Sequence, residues 1–440
     1  MTLFKIKNFI LVLLYSMTYF LCYIYFLNYY FEYLHFPLFM PSGLLLFISF
    51  IISAAPSLLY KGYKSISSFI STFIFIVLYI PTIITFALAH NDSSVNIIKI
   101  QFVYFVSMCL LFIADRVVFV TSGKRFPQII SFRSILLLTI ICSVYSLYVF
   151  RGNLKLVSFA NVYTLRSANI DIGIDTVTRY ITAWLNSLFI PVCALHGILN
   201  KHYFYFLVGV SSSLALYMCT ASKSTILMPF IMLGLYFLLS ISRKADIFSS
   251  MIITLTLLML GLLLVLNFQG MDSPLAMLAS IIILRVIATG GILNVLYYEF
   301  FLDHPNTYYS HIGPINFFTN WYPYGDVSIG QVIGAYFVSD DLNANANFWA
   351  SDGIASIGII GVLVISIILF VIVVFLNTIS KRHNQFFLIL LFIPLLGTLL
   401  NTSLFQTMWS GGGFFITLLL LLLKTENKSF ICCRDNTITS

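Results

Sequence analysis

The stretch "SPLAMLASIIILRVIATGGILNVLYYEFF" (Ser273–Phe301) decides how the chain is threaded. It is apolar and longer than the roughly 20 residues that cross a bilayer core. It also carries Arg285 near its centre, where a charge costs roughly 2.5–3.5 kcal/mol on insertion scales. If the stretch crosses, Lys381 and Arg382 fall on the outer face. If it lies in or re-enters the outer leaflet, packed on the bundle, they stay inside. The second reading keeps the basic residues together and is preferred. At helical spacing Arg285, Thr289 and Glu299 then share a side, which suits a polar cavity.

Composition sets the frame for that choice. The chain has 440 residues, of which 60% are hydrophobic and 9% charged; its mean hydropathy is +1.00. Soluble domains carry roughly 25% charged residues. Residues 1–440 therefore read as a single integral membrane domain. Lipid leaves helices or closed barrels as the ways to satisfy a spanning backbone, and a barrel would alternate polarity over segments of about ten residues. The fold expected is an all-α polytopic bundle. Its spans are predicted near 8–31, 36–60, 66–90, 97–120, 134–150, 179–199, 203–221, 225–242, 247–268, 354–378, 385–403 and 410–423, about 12 helices. The first is read as an uncleaved helix, because its apolar run is too long for a signal sequence and no A-x-A site follows.

The charges orient the bundle. With the N-terminus inside, 16 of the 23 Lys and Arg residues fall in inner loops and tails, among them Lys5, Lys61, Arg116, Lys381 and Lys424. Of the 15 acids only Asp115, Asp246, Glu426 and Asp435 fall inside. An excess of Lys and Arg marks the cytoplasmic side, so both termini are expected there, with 424–440 a cytoplasmic tail. The net charge of +8 is on this reading an insertion signal rather than a nucleic-acid footprint. Two outer segments, 151–178 and 269–353, are too long to be mere connections and are the expected seat of function.

Cys22, Cys109, Cys142, Cys193 and Cys219 lie in apolar runs and Cys432 and Cys433 in the tail, so neither disulfides nor a Cys-ligated metal is expected. Asp171/Asp175 and Asp340/Asp341 have no His or Cys ligand set beside them. Neither a metal nor a cofactor is expected. There is no Walker loop, G-x-S-x-G or H-E-x-x-H, which leaves ATP hydrolysis and serine or zinc protease chemistry unsupported.

The outer segments hold the candidate residues. Arg166 and Arg179 flank the end of the first loop, and Lys223 lies between Ser222 and Ser224 at a helix start; each can meet an anion or merely solvent and headgroups. Arg285 is the costliest cation and so the strongest candidate among them. His311 is a candidate general base, because histidine as a residue type titrates near neutrality, with Asp326 and Asp352 as alternatives. Trp321, Tyr324 and Trp349 can stack on sugar rings or mark the membrane interface. The stretch "NANANFWASDGIASIGIIG" (Asn343–Gly361) closes the second loop. Its Asn345 and Asn347 suit sugar hydroxyls, Asp352 is placed as the N-cap of the next helix, and its glycines suit close packing.

Three local matches point to a family: "VYTLR" (Val162–Arg166), "TASKS" (Thr220–Ser224) and "NANANFWASDGIASIGIIG". With the layout of helices and loops, the chain resembles the O-antigen polymerases of the Wzy type, over nearly its whole length. Some members carry Arg-x10-Gly and Arg-x9-Gly patterns in the two loops; here no outer arginine has glycine at those offsets, so those roles do not transfer. The resemblance implies a glycosyltransferase of the bacterial inner (cytoplasmic) membrane, active on the periplasmic face. It would move a growing glycan from undecaprenyl pyrophosphate to one lipid-linked repeat unit, beside a co-polymerase that regulates chain length. Arg166, Arg179, Lys223 and Arg285 would meet the anionic part, and His311, Asp326 or Asp352 would accept the hydroxyl proton. Asn345, Asn347, Trp321, Tyr324 and Trp349 would hold sugar. A lipid-linked oligosaccharide flippase and an O-antigen ligase remain the alternatives.

Overall fold

The computed structural model describes residues 2–63, 65–117, 127–157, 175–241, 246–271, 273–381 and 383–424. Among these, nine helices are long and apolar enough to cross a membrane: Leu3–Tyr30, Ile66–Ala89, Ser94–Arg116, Phe132–Val149, Thr176–Asn200, Tyr203–Thr220, Ile247–Gln269, Pro274–Asp303 and Ile359–Ser380. Shorter apolar helices lie at Gly43–Leu59, Lys223–Phe237, Gln385–Leu399 and Gly413–Leu422. No strand forms among the described residues; there is one isolated bridge, between Ile130 and Leu423.

Two boundaries differ from the sequence expectation for identifiable reasons. The second helix starts at Gly43 rather than near 36, because Pro37 and Pro41 keep the chain extended and Ser42 caps the helix by accepting the Leu45 amide. The helix expected at 354–378 begins at Ile359, after a break at Gly358.

Several helices contain a π-helical turn. Phe75–Tyr79 stands just before Pro81 and Leu185–Phe189 just before Pro191. Proline lacks an N–H and clashes with the carbonyl four residues back. A turn with one extra residue relieves that conflict while the helix continues.

Hydrogen bonds sort the loops into two ends. At one end Asn377 accepts the Ser67 amide at 2.9 Å and Tyr60 donates to Asp246 at 2.7 Å. There too His383 Nε2 donates to the Leu420 carbonyl at 2.8 Å, and the Lys424 amide donates to Ile130 at 2.9 Å. At the other end His90 Nδ1 lies 2.9 Å from Glu299 Oε1, and the Thr307 amide donates to the Ala355 carbonyl at 2.8 Å. Asn377, bonded to Ser67 and to the Ala114 carbonyl, places Lys381 at the same end as Lys61 and Arg116.

Ser273–Phe301 falls within one continuous helix, Pro274–Asp303. Its second half runs beside Ile66–Ala89 in the same direction. Gly290 meets Leu78, Gly291 meets Pro81 and Thr85, and Asn294 Nδ2 donates to Thr82 Oγ1 at 2.8 Å. The missing side chains of the two glycines permit that approach. The helix finishes beside His90, at the end opposite Lys381.

The expected polar stripe does not form. Ile283–Ala288 is a π-helical turn, and its extra residue shifts the register between Arg285 and the residues after it. Arg285 is exposed, whereas Ile283, Leu284, Ile287 and Ala288 are buried. Glu299 turns instead to His90.

Candidate functional site

The segment 304–358 forms a hydrogen-bonded cap on the second end. Its geometry starts at Gly358, whose φ of +70° ends the short helical stretch Trp349–Ile357. The Ile359–Ser380 helix then doubles back so closely that a Cβ on Gly361 would stand 2.0 Å from the Gly353 carbonyl oxygen. A helix end leaves carbonyls without partners. Here Ala355 accepts the Thr307 amide at 2.8 Å and Ser356 accepts the Tyr308 amide at 3.0 Å. The turn "PNTYYSHI" (Pro305–Ile312) is thereby fastened to the stretch that contains Asp352.

A buried carboxylate completes the fastening. His311 Nε2 lies 3.0 Å from Asp352 Oδ1, and the Leu404 amide donates to Asp352 Oδ2. Asp352 is wholly buried and His311 nearly so. Because an ionised carboxylate only accepts, Nε2 carries its hydrogen. Nδ1 lies 3.1 Å from the Thr307 hydroxyl, which also lies 3.0 Å from the Ala355 carbonyl. That hydroxyl has one hydrogen. It therefore serves either His311 Nδ1 or the Ala355 carbonyl at one time. Both ring nitrogens are engaged within the protein, so His311 is placed to fix Asp352 rather than to take a proton from a substrate. Asp352 is likewise no helix N-cap: it sits inside the π-helical turn Trp349–Ile354.

The other residues singled out from sequence divide in two. Asn347 and Trp349 are buried and structural. Asn347 accepts the Trp349 amide at 3.0 Å and donates to the Gly290 carbonyl, and Trp349 Nε1 donates to Ser366 at 2.8 Å. Asn345, Asp326 and Trp321 are exposed on the cap. Tyr324 donates its hydroxyl to the Pro305 carbonyl at 2.7 Å; burial pushes that phenol up to about 12, so it stays a neutral donor. Arg179 and Lys223 are exposed near the starts of their helices. Arg166, Cys432 and Cys433 lie outside the described residues. Asp175 caps the Thr176–Trp184 helix by accepting the Thr178 amide.

Sequence reading passed over Asn306 and Thr307. The dipeptide Pro305–Asn306 is a turn signal, but nothing in it foretells that Thr307 joins His311 to Ala355. Asn306, Tyr308 and Trp321 line an open hollow of about 450 Å³ with Pro305 and Pro323. Among the described residues no group of three or more His, Cys, Asp or Glu could hold a metal.

The fold and site define a polytopic helical membrane protein whose polar cap is built on one end of its bundle. Comparison with protein-family models, curated proteins and solved structures found no match to this chain.

Proposed function

We propose that the protein is a glycosyltransferase that polymerises lipid-linked repeat units of the O-antigen type. It would transfer the growing glycan from undecaprenyl pyrophosphate to one new unit at the periplasmic face. The observation that supports this reading is the folded cap of 304–358, at the end opposite Lys61, Arg116 and Lys381. By the excess of basic residues the Lys381 end faces the cytoplasm. The cap then faces the periplasm, in the inner membrane of a bacterium.

The cap contains no Lys or Arg. It offers amide, hydroxyl and aromatic groups, which suit sugar. The pyrophosphate must meet its cations elsewhere, and Arg166, Arg179 and Lys223 belong to the other outer segment and its following helices. Arg285 is withdrawn from that role, because it points away from the buried side of its helix. Pyrophosphate is already a good leaving group, so binding the anion and aiming the acceptor hydroxyl supply the catalysis. Asp326 is the exposed cap carboxylate of the original candidates, and on this reading it takes the proton.

A lipopolysaccharide gel of a deletion strain tests the proposal. One repeat unit on the core supports polymerase activity. Polymer accumulating on the lipid carrier, with none on the core, points instead to a ligase. A block before the periplasm points to a flippase.

A further inference from the structure

We infer that the hollow formed by Pro305, Asn306, Tyr308, Trp321 and Pro323 is a subsite for one neutral pyranose ring of the glycan. The inference rests on the saccharide reading above and specifies which groups take the sugar.

Two aromatic faces are left open. Trp321 is 66% exposed and Tyr308 58% exposed, and these two aromatics line the hollow, whereas the more exposed Phe317 and Phe318 do not. The C–H face of a pyranose covers such rings, while its hydroxyls keep their contacts with water. Side chains lining the hollow include no carboxylate, imidazole or ammonium. A phosphate or carboxylate ligand would therefore find no counter-charge, which favours an uncharged ring.

An acceptor is also left without a partner. Asn306 Oδ1 is sealed from solvent and has no hydrogen-bond partner. An unsatisfied buried acceptor is costly. If the Asn306 side chain turns its amide into the hollow that it lines, a ligand hydroxyl there removes that cost.

The backbone is held to present these groups. Tyr308 and Tyr309 are consecutive non-glycine residues in the left-handed region, with φ of +46° and +64°. Such strain persists where surrounding contacts over-determine it, and it gathers at functional sites. Here the Thr307 and Tyr308 amides are tied to Ala355 and Ser356. The turn sends the Tyr309 ring towards Phe405, 6.2 Å away between centroids, and leaves Tyr308 at the surface beside the hollow.

The test uses the purified full-length protein in nanodiscs. The probe is the oligosaccharide released by mild acid from the producing strain's surface polysaccharide. Calorimetric titration should show Trp321→Ala and Tyr308→Ala each weakening binding at least tenfold, and Asn306→Ala at least threefold. Thermal unfolding midpoints should stay near wild type, and Phe317→Ala, on the neighbouring short helix, should bind as wild type does. Unchanged affinity in both aromatic variants overturns the subsite. So does strong quenching of Trp321 fluorescence by brominated lipid, which would place the ring among headgroups instead. Complementing the deletion strain separates the two proposals. Long-chain polysaccharide lost while binding persists overturns the subsite and leaves the transfer reading standing. Binding lost while polysaccharide is unchanged keeps the subsite and removes the transfer reading.

Discussion

Asp352, wholly buried, is held by His311 at 3.0 Å on one carboxylate oxygen and by the Leu404 amide on the other. Removing one partner of a buried pair strands the other and costs about 3–5 kcal/mol. His311→Ala should therefore lower thermal stability in detergent markedly. Asp352→Asn keeps an acceptor for Leu404 and should cost less, about 1–3 kcal/mol. A His311→Ala protein that melts with the wild type would show the contact to be incidental.

Gly361 is a second point of tension. A methyl group there would stand 2.0 Å from the Gly353 carbonyl oxygen, whereas one on Gly397 would meet nothing within 4 Å. Overpacking of this kind costs typically about 1–3 kcal/mol. Gly361→Ala should unfold at lower temperature than wild type, with Gly397→Ala close to it or above. Equal midpoints for the two variants would mean that the doubled-back helix relaxes freely.

Arg285 gives a prediction opposite to the one its sequence context suggests. Its side chain is exposed on a helix whose other face is packed. Substitutions at such sites usually change stability by less than about 0.5 kcal/mol. Arg285→Ala should leave both stability and the polysaccharide ladder unchanged, while Lys223→Ala and Arg179→Ala shorten the ladder. Loss of the ladder in Arg285→Ala alone would return the anion to that helix.

Asp92 links stability to pH. The Ser93 amide and then the Asn96 side chain hold its carboxyl below the usual carboxylate range. The folded state therefore binds fewer protons at this site than the unfolded state does. The contribution is fully present above the ordinary carboxylate pKa and is lost as pH falls through the lower folded value. The stability difference between wild type and Asp92→Asn should be constant near neutrality and shrink towards pH 3. A difference that grows on acidification would contradict the assignment.

Much of the scaffold was legible because lipid imposes a simple rule: apolar runs must become helices. The grouping of loops at two ends was legible from Lys and Arg alone, and the Asn377–Ser67 and His383–Leu420 bonds agree with it. Side-chain direction was not. Asn347 and Trp349 have the chemistry of sugar ligands, yet one bonds backbone and the other bonds Ser366 inside the core. Arg285 was placed by a 3.6-residue period that one π-helical turn cancels. Asp352 passed for a helix cap because the break falls six residues later, at Gly358. His311 and Asp352 were both candidates, but their pairing spans 41 positions and no local pattern encodes it.

The bond from Leu404 to Asp352 also bears on biosynthesis. Residues 304–358 are synthesised before residue 404 exists. Until the Gln385–Leu399 helix has been inserted, the Asp352 carboxylate lacks its amide partner and the tyrosine turn is only partly tied. The cap therefore gains this tie only after the Gln385–Leu399 helix has been made. A chain truncated just before Leu404 would keep every residue of the hollow and still leave it unfinished.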